Sequence, residues 1–122
     1  MTIKQPWAEL IASGRKSIET RSWPTRYRGP LAIHAGLQGD RDAARRLGYD
    51  LILNVEGRSY LPRGAVVAVA DLVDVRRLRP ADAAQSLCAH VDGRYAWILA
   101  DIQRLEPVVP RVGAQGLWRW TP

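Results

Sequence analysis

The stretch QPWAELIASGRKSIETRSW, residues 5 to 23, places two tryptophans on either side of a run of charged residues. Trp7 and Ile11 lie four residues apart, as on one face of a helix, and Gly14 supplies a stop signal. Polar and apolar residues then alternate from residue 17 to residue 23, which is typical of a strand. The sequence therefore predicts a short helix that leads directly into a strand.

Charged and aromatic side chains in this stretch predict a cleft for a nucleotide-like ligand. Glu19 and Arg21 are two residues apart, so they share one face of the predicted strand. Lys16 and Arg21 supply donors for phosphate or carbonyl oxygens, and Glu19 can accept from the exocyclic amine of a base. Trp7 and Trp23 offer flat faces on which an unpaired base can stack.

Each of these residues also has a purely structural interpretation. Glu19 can form an ion pair that holds the helix to the strand, and Trp7 can pack in the core. Gln5 can bond the backbone or line the cleft. Downstream of the strand, Arg26 and Arg28 are expected to follow a nucleic-acid backbone, which would make binding salt-dependent.

Positive charge is concentrated in the segment that carries this stretch. The chain has 122 residues and a formal net charge of +6, and 16 of its 18 basic residues are arginine. Residues 1 to 39 account for +4 of that net charge. Arginine suits phosphate and base recognition, although a G+C-rich genome that prefers arginine codons explains the same bias.

The remaining strand and helix signals indicate an α+β fold. Strands are expected at residues 30–35, 65–75 and 95–105, followed by a loop and a short final strand that carries Trp118 and Trp120 into the core. Helices are expected from Arg41 to about Leu53, with Asp40 as N-cap, and over one or two turns within residues 79–87. The connections 24–29 and 106–116 are too short for helical crossovers. A small mixed β-barrel flanked by short helices is therefore expected.

Length and composition limit the remaining possibilities. The chain fits one domain, residues 1–122, with no apolar run near the roughly 18 residues of a membrane span. It begins without signal-peptide features, and a single cysteine, Cys88, suits a reducing cytoplasm. Cys88 and His90 are two residues apart and His34 is distant, so we expect no metal site and no cofactor. His34 lies between apolar residues and is expected to be buried.

The charged stretch, with its G-x-K-x-x-E-x-R core of Gly14, Lys16, Glu19 and Arg21, resembles the ASCH family, the activating signal cointegrator 1 homology domain. The later stretches RGPLAIHA, GAVVAVADLVDV, YAWIL and PVVPRVGAQGLW extend the resemblance over nearly the whole chain. The resemblance implies a PUA-like β-barrel, with a cleft between the first helix and the barrel and the motif at its mouth. It also implies binding to RNA or DNA.

Three alternative functions remain open at this stage. Some bacterial ASCH relatives are ribonucleases, and here Glu19 or His34 would act as base while Lys16 and Arg21 stabilise charge. Others are amidohydrolases that act on acylated cytidine, for which the resemblance implies the motif lysine, a hydroxyl residue three positions later and a distant glutamate. Lys16 would then be catalytic, but Glu19 occupies the hydroxyl position, which argues against deacylation. A transcription-related protein-interaction module would instead expose an apolar patch.

Overall fold

The computed structural model describes residues 1–49 and 61–120. In this part of the chain five strands form one mixed sheet, in the order β1-β3-β4-β5-β2, with short helices between them. The strands are β1 (Thr2–Gln5), β2 (Ile18–Arg21), β3 (Gly29–Gly39), β4 (Ala65–Arg77) and β5 (Tyr95–Pro110). The helices are α1 (Trp7–Ala12), α2 (Arg41–Leu47) and α3 (Ala83–Ser86), the last preceded by a 3-10 turn, Pro80–Asp82.

The α+β class is confirmed, but the described sheet is not closed into a barrel. Strand β1 runs parallel to β3, whereas the other neighbouring strands are antiparallel. β1 and β2 therefore form the two edges of the sheet. A side chain spans part of the gap between them, because Arg21 of β2 donates from Nη2 to the carbonyl of Thr2 in β1, at 2.9 Å. The expected closed barrel is wrong, and an open seam takes its place.

Helix α1 packs its apolar face onto the sheet and forms much of the core. Ala8, Leu10 and Ile11 have no exposed surface, and Trp97 of β5 is equally buried. The indole nitrogen of Trp97 donates to the backbone carbonyl of Trp23 at 3.1 Å, so its polar atom is satisfied. Burying a large apolar side chain such as Trp97 contributes about 1.5–3 kcal/mol. The hydrogen bond to Trp23 ties the loop after β2 to this buried side chain.

Several elements differ from the pattern-based expectations. Strand β1 was not predicted, because four residues with a single apolar member, Ile3, give little periodic signal. Strand β5 continues to Pro110, into the first part of the connection 106–116 that was expected to be a loop. Residues 111–120 contain no strand, so the expected final strand is wrong. Trp118 is half-buried, packing edge-on against His34 with ring centroids 5.8 Å apart.

Helix α2 begins where the sequence predicts and ends earlier. The Asp40 side chain caps it by accepting from the Ala43 N–H at 3.0 Å. Gly48 ends it in a left-handed conformation (φ 79°), which glycine adopts without steric cost. Residues 50–53 of the expected longer helix lie outside the described residues. No helix in the described ranges is long and apolar enough to cross a membrane.

Candidate nucleic-acid interface

A groove of about 1530 Å³ lies along the open seam of the sheet. Its walls come from the two edge strands β1 and β2, from α1, from the end of β3 and from residues 110–116. Distant parts of the chain therefore meet around one cavity. Of the residues that the sequence predicted for the ligand, the groove is lined by Trp7, Lys16, Glu19, Arg21 and Trp23.

Three charged residues of the motif form one cluster in the groove. Glu19 Oε1 lies 3.5 Å from Lys16 Nζ, and Glu19 Oε2 lies 3.1 Å from Arg21 Nη2. The Glu19 carboxylate also accepts from the Thr20 N–H at 3.2 Å. Glu19 and Arg21 thus lie on one face of β2, as strand alternation predicts. Both carboxylate oxygens face cationic partners, so the cluster is a fixed arrangement of charges.

Lys16 forms the deepest part of this cluster. Its side chain is 1% exposed, and Nζ donates to the carbonyl of Ser86 at 2.5 Å. The ammonium also lies 4.7 Å from the centre of the Trp7 ring, a cation–π contact, and 3.9 Å from Cys88 Sγ. Because these partners surround Nζ, Arg21 is the more accessible cation, with a side chain that is 25% exposed.

The two tryptophans that line the groove are fixed by different contacts. The Trp7 indole nitrogen donates to Asp40 Oδ2 at 3.0 Å. The Ala43 N–H and then the Trp7 indole keep the pKa of Asp40 below its usual value. Trp23 packs edge-on against Trp97, with ring centroids 4.8 Å apart. Both rings are partly buried, which leaves part of each in the groove.

Three residues predicted for the ligand lie outside the groove. Gln5 is fully buried, donates to the carbonyl of Pro62 at 2.7 Å and accepts from the N–H of Glu9 at 2.9 Å. Arg28 bonds carbonyls of its own loop and lies 3.6 Å from Asp74, and Arg26 is exposed. Gln5 therefore supports the start of α1, and the ligand roles of all three stay predictions.

The groove also contains residues that the sequence did not assign to a ligand. Arg111 lines it from the segment after β5, and Arg94 does so from the turn before β5, donating to the carbonyl of Thr20 at 3.0 Å. His34 is buried, as predicted, and both ring nitrogens have partners: Nε2 lies 2.6 Å from the Arg111 carbonyl and Nδ1 lies 3.1 Å from Thr2 Oγ1.

Arg94 and Arg111 were missed because their contacts around the groove span most of the chain. His34 and Arg111 are 77 residues apart, and no local periodicity relates them.

Burial, and more weakly the positive charge of Arg111, lowers the pKa of His34. The ring is therefore neutral near pH 7, and we infer that Nε2 carries the proton because a carbonyl can only accept. Within the described ranges, no three His, Cys, Asp or Glu side chains converge as metal ligands do.

The fold and the groove define an ASCH-type, PUA-like domain, a class that is generally RNA-binding-like. The family model of the ASCH domain matches residues 1–109, and the chain belongs to that family.

Comparison with known proteins agrees with this assignment. This chain is similar to activating signal cointegrator 1 of Mus musculus and of Homo sapiens. The identity is 27% in each case, over 98% of this chain. The chain spans about a fifth of the length of these relatives, 22% in each case. The crystal structure of ASCH from Zymomonas mobilis superposes with a TM-score of 0.59 at 16% identity, over 90% of this chain and 71% of that one. That likeness shows the fold.

Proposed function

We propose that this domain binds single-stranded nucleic acid, with RNA as its main ligand, in the groove along the sheet seam. One observation carries the proposal: Trp7 and Trp23 line the same cavity as the Lys16–Glu19–Arg21 cluster. Aromatic faces bind unpaired bases, and cations bind the phosphates between them. A duplex hides its bases, so a single strand or a loop fits this surface better.

The size of the groove favours a strand over a free nucleoside. Clefts for small molecules occupy about 300–1,000 Å³. The groove exceeds that range at about 1530 Å³, and it is open along the seam. The chain belongs to a family that is generally RNA-binding-like, which supports the same class of ligand.

The charge cluster has a separate task for each member in this proposal. Arg21 binds a phosphate, because it is the more accessible cation of the cluster. Glu19 accepts from an N–H on the edge of a base, either an exocyclic amine or the ring N3–H of uracil. Lys16, the more buried cation, holds Glu19 in place through the ion pair between Nζ and Oε1 at 3.5 Å. Trp23 stacks on a base, which is worth about 1–3 kcal/mol.

Fluorescence anisotropy with a labelled single-stranded RNA, at about 50 mM and about 200 mM salt, tests this proposal. We expect affinity to fall steeply with salt, and Arg21→Gln and Trp23→Ala each to weaken binding about tenfold. Arg45→Gln is the matched control, because Arg45 is exposed on α2 outside the groove. Undetectable binding by the unmodified domain, or equal affinity in all variants, would refute the proposal. A duplex of the same sequence should bind less tightly.

A further inference from the structure

We propose that the groove contains a second nucleotide subsite, formed by Arg111, Leu37 and Val112. This inference rests on the proposed function and specifies its ligand: a strand of at least two nucleotides, held at two points. All three residues line the groove, and none belongs to the motif stretch.

Arg111 is held in a fixed position beside the groove. Its guanidinium carbon lies 3.9 Å from the centre of the Trp118 ring, and Nη1 donates to the carbonyl of Arg119 at 2.9 Å. Its backbone N–H donates to the carbonyl of Gly64, also at 2.9 Å. Among residues 1–49 and 61–120, no carboxylate forms an ion pair with Arg111, so its positive charge is available to an anion.

Two exposed apolar side chains lie near the backbone of Arg111. Leu37 is 78% exposed and Val112 is 88% exposed, and both line the groove. Leu37 lies against Gly64, the residue whose carbonyl accepts from Arg111, and Val112 follows Arg111 in the chain. Such exposure costs free energy unless the side chains gain a partner. A base on Leu37 and Val112 with its phosphate on Arg111 supplies that partner.

A short chain of contacts sets this subsite beside the motif. Arg21 donates to the Thr2 carbonyl, and Thr2 Oγ1 lies 3.1 Å from His34 Nδ1. His34 Nε2 in turn lies 2.6 Å from the carbonyl of Arg111. The Arg21 guanidinium and the Arg111 backbone are therefore joined through the Thr2–His34 pair, and both residues line the groove. Two cations in one groove can bind different phosphates of one strand, so affinity should rise with strand length until both subsites are filled.

A length series of oligouridylates distinguishes one subsite from two. Calorimetric titration would compare UMP with uridylates of two, four and eight nucleotides, using the unmodified domain, Arg111→Gln, Arg21→Gln and the control Arg45→Gln. We expect affinity to rise at least about tenfold from UMP to the four-nucleotide strand. Arg111→Gln should abolish most of that rise and leave UMP binding nearly unchanged, whereas Arg21→Gln should weaken both. Losing one phosphate contact should also reduce the salt slope by about 0.7.

Several outcomes are decisive. A length dependence that is unchanged in Arg111→Gln, with Arg21→Gln still defective, would overturn the second subsite and leave the proposed function intact. No binding of any uridylate by the unmodified domain would refute both. If circular dichroism shows that Arg111→Gln unfolds, the double variant Leu37→Ser, Val112→Ser provides an independent test of the second subsite. It should lose the same rise with length, and normal length dependence in it would also overturn the proposal.

Discussion

Glu19 and Lys16, three residues apart in the chain, form an ion pair at 3.5 Å with side chains that are 9% and 1% exposed. Removing one partner of a buried pair leaves the other charge without compensation, at a cost of about 3–5 kcal/mol. We therefore expect Glu19→Gln to lower the free energy of unfolding by about 3 kcal/mol, measured by urea denaturation. The retained Ser86 contact of Lys16 places the loss at the lower end of that range.

A second variant separates charge compensation from other effects at this position. Lys16→Met combined with Glu19→Gln removes both members of the pair, so no buried ammonium remains. We expect this double variant to be more stable than Glu19→Gln alone. Glu106→Gln, at an exposed position of β5, is the control and should unfold like the unmodified domain. Unchanged stability of Glu19→Gln would show that Lys16 does not depend on the pair.

Local periodicity in the sequence was enough to predict much of the motif side of the groove. Strand alternation placed Glu19 and Arg21 on one face, and their 3.1 Å contact confirms it. Helical spacing predicted α1. These predictions hold because the residues concerned are close together in the chain.

The opposite wall of the groove depends on contacts that periodicity does not encode. Strand β1 pairs in parallel with β3, about 30 residues away, so its register is decided by tertiary packing. The segment after Pro110 reaches the groove only because β5 is longer than its apolar pattern suggests. Trp118 was expected in a strand in the core, but two prolines and two glycines precede it and the chain bends toward His34 instead.

The Arg76–Asp82 pair predicts a loss of stability in acid. Arg76 donates to both oxygens of Asp82, at 2.8 and 2.9 Å, and this contact lowers the pKa of the buried carboxyl to about 2. Because the folded pKa lies below the unfolded value of 3.8, the stabilisation is complete above about pH 4 and is lost as the pH falls toward 2. We expect Asp82→Asn to cost about 2 kcal/mol near pH 7, about half as much near pH 3 and little near pH 2.

Urea denaturation at several pH values would measure this dependence. Asp74→Asn is the matched control, because Asp74 is exposed and its nearest cation, Arg28, lies 3.6 Å away at the surface. Its effect should be small at every pH. A pH-independent difference between Asp82→Asn and the unmodified domain would contradict a stabilising carboxylate.

A second charged pair fastens α1 to the sheet. Arg104 of β5 donates to both oxygens of Glu9 in α1, at 2.8 and 2.7 Å. The geometry is bidentate, but Arg104 is 35% exposed, so solvent reduces its contribution. A double-mutant cycle with Glu9→Gln and Arg104→Gln should give a coupling energy of about 1 kcal/mol that decreases with added salt. Additive single effects would show that the pair contributes nothing beyond its separate contacts.

Gly113 lies so close to the Thr2–His34 pair that the position has no room for a side chain. A Cβ built there would lie 2.5 Å from Thr2 Oγ1 and 2.7 Å from His34 Cε1. Gly113→Ala must therefore displace either the Thr2–His34 contact or the segment that carries Arg111. Overpacking of this kind costs about 1–3 kcal/mol, so we expect a lower melting temperature.

Two comparisons connect that loss to the groove. Ala114→Ser alters an exposed neighbour in the same segment and should leave the melting temperature unchanged. In a Thr2→Ala background the nearest obstructing atom is gone, so Gly113→Ala should be less destabilising than in the unmodified domain. An equal loss in both backgrounds would mean that Thr2 is not the obstacle. Because Gly113 follows Arg111 by two residues, a displaced segment should also weaken binding of long oligouridylates more than binding of UMP.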